Sequence, residues 1–196
     1  MEKETEQFEA IIYIKVGTHA GESIDEIISR KQNEEKRAGM FFWGYSGKIL
    51  FPSTQVLPFI EESKSRGIVP KLLMHVIQNR SRNRYNPHVS QKAEYYSKNK
   101  EDDWQLIPQG ISVIGSDYAL VCRNLKKVNT TIDLSLYELA NSKRRGDSLD
   151  NYIRNQIDKT CAFLKTPFPR DHKKSDTIVK VSYVADLVEP YAVFLK

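Results

Sequence analysis

The sequence predicts a mixed α/β fold, with a mixed sheet whose first half runs β-α-β-α-β and whose antiparallel second half is flanked by helices. Three observations carry this. Short apolar strands alternate with helical patterns through residue 77, and the connections are long enough for parallel crossovers. Hairpin-like and alternating patterns dominate after residue 110. No linker divides residues 1–196, so one domain is expected.

Ala10, Ile12, Ile14 and Val16 alternate with other residues, predicting a strand over 9–16 with one buried face. After the Gly17–Gly21 turn, Ser23 with Glu26 three residues on spells a capping box for a helix through Ile24, Ile27 and Ile28. Gly39 supplies its stop, and 40–45 reads as a short aromatic strand. Ser53 or Thr54 is expected to cap a second helix, with Val56, Leu57 and Ile60 inward and Gly67 at its end. Leu72 to Ile77 is almost continuously apolar, the pattern of a strand covered on both faces.

Residues 79–103 break the pattern. They are polar and basic and hold three tyrosines, which predicts a long loop with a helical turn near 91–96. Beyond it, 111–114 and 118–125 look like the arms of a hairpin across Gly115-Ser116. A helix is expected over 134–140. A stronger one is expected from Ser148, because Leu149, Tyr152, Ile153, Ile157, Cys161 and Leu164 recur at helical spacing. Alternation from Val179 to Leu187 predicts a strand, and 191–195 another after Glu189-Pro190.

Hydrophobic residues make up 40% of the chain and charged residues 28%, the balance of a folded globular protein. Two cysteines build no disulfide framework, and free buried thiols are expected at Cys122 and Cys161. That usage suits the cytoplasm. No apolar stretch reaches the ~20 residues that span a bilayer, and the acidic start is no signal peptide, so no membrane partner is expected.

Net charge is +5, and its location is informative. Residues 79–100 hold Arg80, Arg82, Arg84, Lys92, Lys98 and Lys100 against Glu94 alone, whereas the rest balances 24 basic with 24 acidic residues. Arginines at alternate positions match phosphate oxygens with paired donors. Tyr85, Tyr95 and Tyr96 could stack on bases between phosphate contacts. The plain alternatives are a solvated loop or one that docks an acidic protein.

A second candidate is Phe41-Phe42-Trp43-Gly44-Tyr45-Ser46-Gly47-Lys48. Two glycines and a lysine at a strand end, before a capped helix, could cradle an anion between the rings of Trp43 and Tyr45. Ile49 stands where a P-loop needs serine or threonine, and a tight turn under an aromatic core is the plainer reading. His75 reads as a satisfied core histidine, while His19, His88 and His172 fall in turns and loops. No histidines have zinc spacing, and no nucleophile elbow is present, so neither metal, cofactor nor catalytic residue is assigned. Lys143-Arg144-Arg145 is read as a helix C-terminus, with Arg145-Gly146-Asp147 joining two helices.

The expected function is a binding module for a phosphate-bearing ligand, nucleic acid or nucleotide. Its expected contacts are Arg80, Arg82, Arg84, Tyr85, Trp43, Tyr45 and Lys48. The competing readings are an accessory or inhibitor protein with an acidic partner, and an enzyme processing phosphodiesters or nucleotides through one of the loop histidines.

Overall fold

The computed structural model describes residues 7–19, 21–77, 90–96, 103–140, 143–154, 158–166 and 177–196. Among them, nine strands share one mixed sheet: β1 (Ala10–Val16), β2 (Phe41–Tyr45), β3 (Lys71–Val76), β4 (Glu94–Tyr96), β5 (Gln105–Leu106), β6 (Tyr118–Asp133), β7 (Tyr137–Leu139), β8 (Lys159–Leu164) and β9 (Ile178–Leu195). The order is β2-β6-β9-β3-β1-β8-β7, and β4 pairs with the far end of β9, with β5 beside it. Two helices, α1 (Ile24–Ala38) and α2 (Leu57–Ser65), are accompanied by a short third, α3 (Leu149–Arg154). The mixed α/β class expected from the sequence is what the chain adopts. No helix among the described residues is long and apolar enough to cross a membrane.

Local signals place α1 as expected. The Ser23 amide donates to Glu26 Oε2 at 2.7 Å, and the Glu26 amide donates to Ser23 Oγ at 3.3 Å. Gly39 takes φ +74°, a left-handed stop that costs glycine little.

Non-local pairing overturns several other expectations. β1 is buried on both faces, because the α1–α2 side covers Ile12 while α3 and the 3-10 turn cover Ile11 and Tyr13. Only β1 and β3 are parallel among the described pairs; β2 lies at the sheet margin, antiparallel to β6. Neither Ser53 nor Thr54 caps α2. A π-helical turn, Pro52–Val56, leads into that helix without a side-chain cap. Residues 94–96 are extended rather than helical, since Tyr95 and Tyr96 pair with Leu195 and Phe194. The 111–125 hairpin does not form: β6 takes β2 and β9 as its partners, and 111–113 instead covers the sheet.

Residues 134–140 hold one 3-10 turn, Leu134–Leu136, followed by β7. The helix that opens after Ser148 is described over Leu149–Arg154, and Cys161 lies not on it but on β8. Thr160 to Phe163 are all buried, and a contiguous buried run fits a helical period as well as a strand. Lys143 to Asp147 form a turn between β7 and α3, where Gly146 takes φ +85°. The expected last two strands are one continuous β9.

The core has three parts. On one face α1, the π-helical turn and α2 pack Ile28, Val56, Phe59 and Ile60 over Ile12, Leu72, Leu120 and Ala185. On the other, α3 and the 3-10 turn cover Tyr13, Leu73 and Ala162 at one end. Ile111 and Val113 cover Phe42, Val121 and Val193 at the opposite end.

Candidate functional site

A row of aromatic side chains ends where β4 meets β9. Register places Tyr45 opposite Tyr118, Tyr118 opposite Phe194, and Phe194 opposite Tyr96. Residues directly opposed in a sheet share a face, so four aromatic side chains cross four strands in one row. Ring centroids are 5.6 Å apart for Tyr45–Tyr118, 5.5 Å for Tyr118–Phe194 and 4.7 Å for Tyr96–Phe194, the last stacked with planes nearly parallel at 8°. Phe51 closes over the middle, 5.1 Å from Tyr118 and 5.6 Å from Phe194. These are the distances of mutually attractive rings.

Burial falls along the row. Tyr45 is inside the core, with its hydroxyl donating to the Leu50 carbonyl at 2.6 Å. Phe194, Tyr96 and Trp104 are half-buried, and Leu106 beyond them is 77% exposed. Trp104 meets Tyr96 edge-on at 4.3 Å. The Lys196 ammonium lies 4.2 Å over the Trp104 ring and 3.4 Å from Glu94 Oε2.

Of the residues expected from sequence, Arg80, Arg82, Arg84 and Tyr85 lie outside the described residues, as do His88 and His172. Tyr95 and Tyr96 separate, because neighbours on a strand point to opposite faces. Tyr96 joins the row. Tyr95 turns to the other face, edge-on to Phe42 at 5.5 Å, with its hydroxyl donating to Gln105. Trp43 sits one row in, opposite Leu120 and packed against the helix-side core. Lys48 is exposed in the turn after β2. Gly44 does admit a close neighbour, and that neighbour is the chain itself: a Cβ there would lie 2.5 Å from Ser116 Oγ.

Lys98 and Lys100 are followed in the chain by Glu101, Asp102 and Asp103, so that stretch carries its own counter-charge. The stretch 79–93 holds Arg80, Arg82, Arg84 and Lys92 and no acidic residue. The Lys92 amide donates to the Val113 carbonyl at 2.8 Å, which ties it to the segment covering the face opposite the row.

Other charged clusters are internally matched. Arg30 holds Glu22 through two hydrogen bonds of 3.0 and 2.7 Å, and that contact keeps the Glu22 carboxyl below its ordinary range. Arg145 and Arg66 both grip Glu62. Asp186 accepts from Lys71 and Asn124, each at 2.6 Å. A groove of about 640 Å³ beside α1 is walled by Arg30 and Glu34, already bonded to one another, so it offers an anion little net charge. His75 Nδ1 lies 2.7 Å from the Lys180 carbonyl oxygen, and His19 exchanges backbone bonds with Glu22. No group of three His, Cys, Asp or Glu among the described residues could hold a metal ion.

Compared with protein-family models, curated proteins and solved structures, the chain matches none. The functional reading therefore stands on the residues themselves.

Sequence reasoning alone does not single out Trp104 or Phe194. A solitary tryptophan after Asp102-Asp103 is a usable signal, since a large ring in a polar stretch needs a reason to be there. Phe194 gives no signal apart from its strand.

Proposed function

We propose that the protein is a single-domain, cytoplasmic binding module for a phosphate-bearing ligand, a polynucleotide or a nucleotide. Arg80, Arg82 and Arg84 contact phosphate, with Lys92 and Lys48 adding charge. The observation that carries the reading is the basic run within 79–100, in which Arg80, Arg82, Arg84 and Lys92 precede any acidic residue. Its support is the position of β4 within that segment, paired to β9 at the end of the aromatic row. Phosphate oxygens meet guanidinium forks, and rings offer faces to bases whatever their sequence. The cytoplasmic part of the reading is supported by Cys122 and Cys161, both free and fully buried.

The test is binding of labelled single-stranded RNA, single-stranded DNA, duplex and mononucleotides across a salt series, with an Arg80/Arg82/Arg84→Ala variant alongside. Removing three phosphate-binding guanidiniums should flatten the slope of log affinity against log salt by about 2 for a single strand. Binding confined to mononucleotides would identify the ligand as a nucleotide. A salt-independent affinity, or a variant that binds as well as wild type, would refute the role of the arginines. An acidic protein partner is the alternative that complete absence of nucleic-acid and nucleotide binding would favour.

A further inference from the structure

We propose that Trp104 is the base-stacking position of this module and that the form bound is therefore single-stranded nucleic acid; the inference rests on the polynucleotide reading above. Strand β5 opposes β4 with Gln105 beside Tyr95, which sets Trp104 across from Tyr96 at the outer end of the aromatic row. Trp104 and Leu106 are two residues apart on one extended stretch and share a face, and the high exposure of Leu106 shows that solvent reaches this end.

Lys196 gives the ring its nucleotide character. Its ammonium covers Trp104 at 4.2 Å, yet the side chain is 49% exposed and paired with Glu94 at 3.4 Å. An exposed cation–π contact is weaker than a base stacked on an aromatic face. A nucleotide can thus draw Lys196 from the ring to its phosphate while its base takes the vacated place. A polyanion without bases gains only the first interaction. A duplex keeps its base faces inside its own stack and cannot offer the second. Tyr96, itself stacked on Phe194, supports the tryptophan edge-on.

The protein has two tryptophans, so Trp43→Phe leaves Trp104 as the one reporter. We expect oligouridylate and oligodeoxythymidylate of about twelve residues, the span of a typical single-strand site, to quench its emission saturably. A duplex of equal length should leave it unchanged. Trp104→Ala should weaken single-strand binding about 5- to 150-fold while keeping the salt slope. Trp104→Phe, which preserves a ring and the packing on Tyr96, should recover most of the loss. Single-strand binding that is salt-sensitive but neither quenches Trp104 nor changes in Trp104→Ala would overturn the stacking site and leave the phosphate reading intact. Failure of every polynucleotide to bind would sink the stacking proposal, and failure of mononucleotides as well would sink the phosphate reading.

Discussion

Replacing Lys31 by methionine should be among the most damaging single changes in α1, although lysine is rarely a core residue. Lys31 and Glu34 lie on the buried side of the helix, with side chains 6% and 3% exposed. The ammonium donates to both Glu34 oxygens, at 3.0 and 2.9 Å, and to the Ser112 carbonyl at 3.4 Å. The Ser112 amide returns a bond to Glu34 Oε1 at 3.3 Å. Two buried charges thus clasp the 111–113 segment, whose Val113 carbonyl accepts from the Lys92 amide. Burial pulls the Lys31 ammonium below the ordinary lysine range even with Glu34 against it, so desolvation is the larger influence.

Removing one member of a buried pair costs about 3–5 kcal/mol, because the other charge is left uncompensated. Arg30 Nη1 still reaches Glu34 at 3.4 Å, so the lower end applies, about 3 kcal/mol. For a chain of this size that is a fall of roughly 6–12 °C in Tm. The assay is thermal and urea denaturation of Lys31→Met, Glu34→Leu and the double variant, with hydrogen exchange at the Lys92 amide. The double variant should recover most of the loss, since an apolar pair leaves no orphaned charge. A single-variant cost under about 1 kcal/mol, or a double variant no more stable than Lys31→Met, would refute the reasoning.

Acid and thiol chemistry give two further outcomes. The hydrogen bonds from Arg30 to Glu22 and from Arg145 to Glu62 hold those carboxyls below their ordinary value of 4.5. Their stabilisation is therefore complete above about pH 4.5 and lost as pH falls through the lower folded-state values. Denaturation followed from about pH 6 to pH 2.5 should show Glu62→Gln with a shallower decline, and an unchanged slope would count against the assignment. Burial pushes both thiols far above the usual cysteine value. Cys122 and Cys161 should thus resist an aromatic disulfide reagent at about pH 8 until the protein unfolds, and prompt labelling of the native protein would contradict their place in the core.

What could be read from the sequence is what residues within a few positions of each other decide. Ser23, Glu26 and Gly39 set the ends of α1 through bonds that span three or four residues, so no distant partner could alter them. The mixed class follows from the order of apolar segments, and the basic segment is visible by counting charges. What tertiary structure alone decided is partnership. Backbone ladder bonds carry no side-chain identity, so nothing local to Phe41–Tyr45 announces that β2 pairs with β6 at the margin instead of standing beside β1. Thr160 to Phe163 read as helix for the same reason: a run buried on all sides has no period to read, and β1 on one flank with β7 on the other makes it a strand. The aromatic row is the clearest case. Tyr45, Tyr96, Trp104, Tyr118 and Phe194 are far apart in the chain, and only the register of β2, β6, β9, β4 and β5 brings them into line. The same pleat sends Tyr96 into that row and its neighbour Tyr95 to the opposite face, because successive side chains on a strand alternate and the pairing with β9 chooses which one turns toward Phe194.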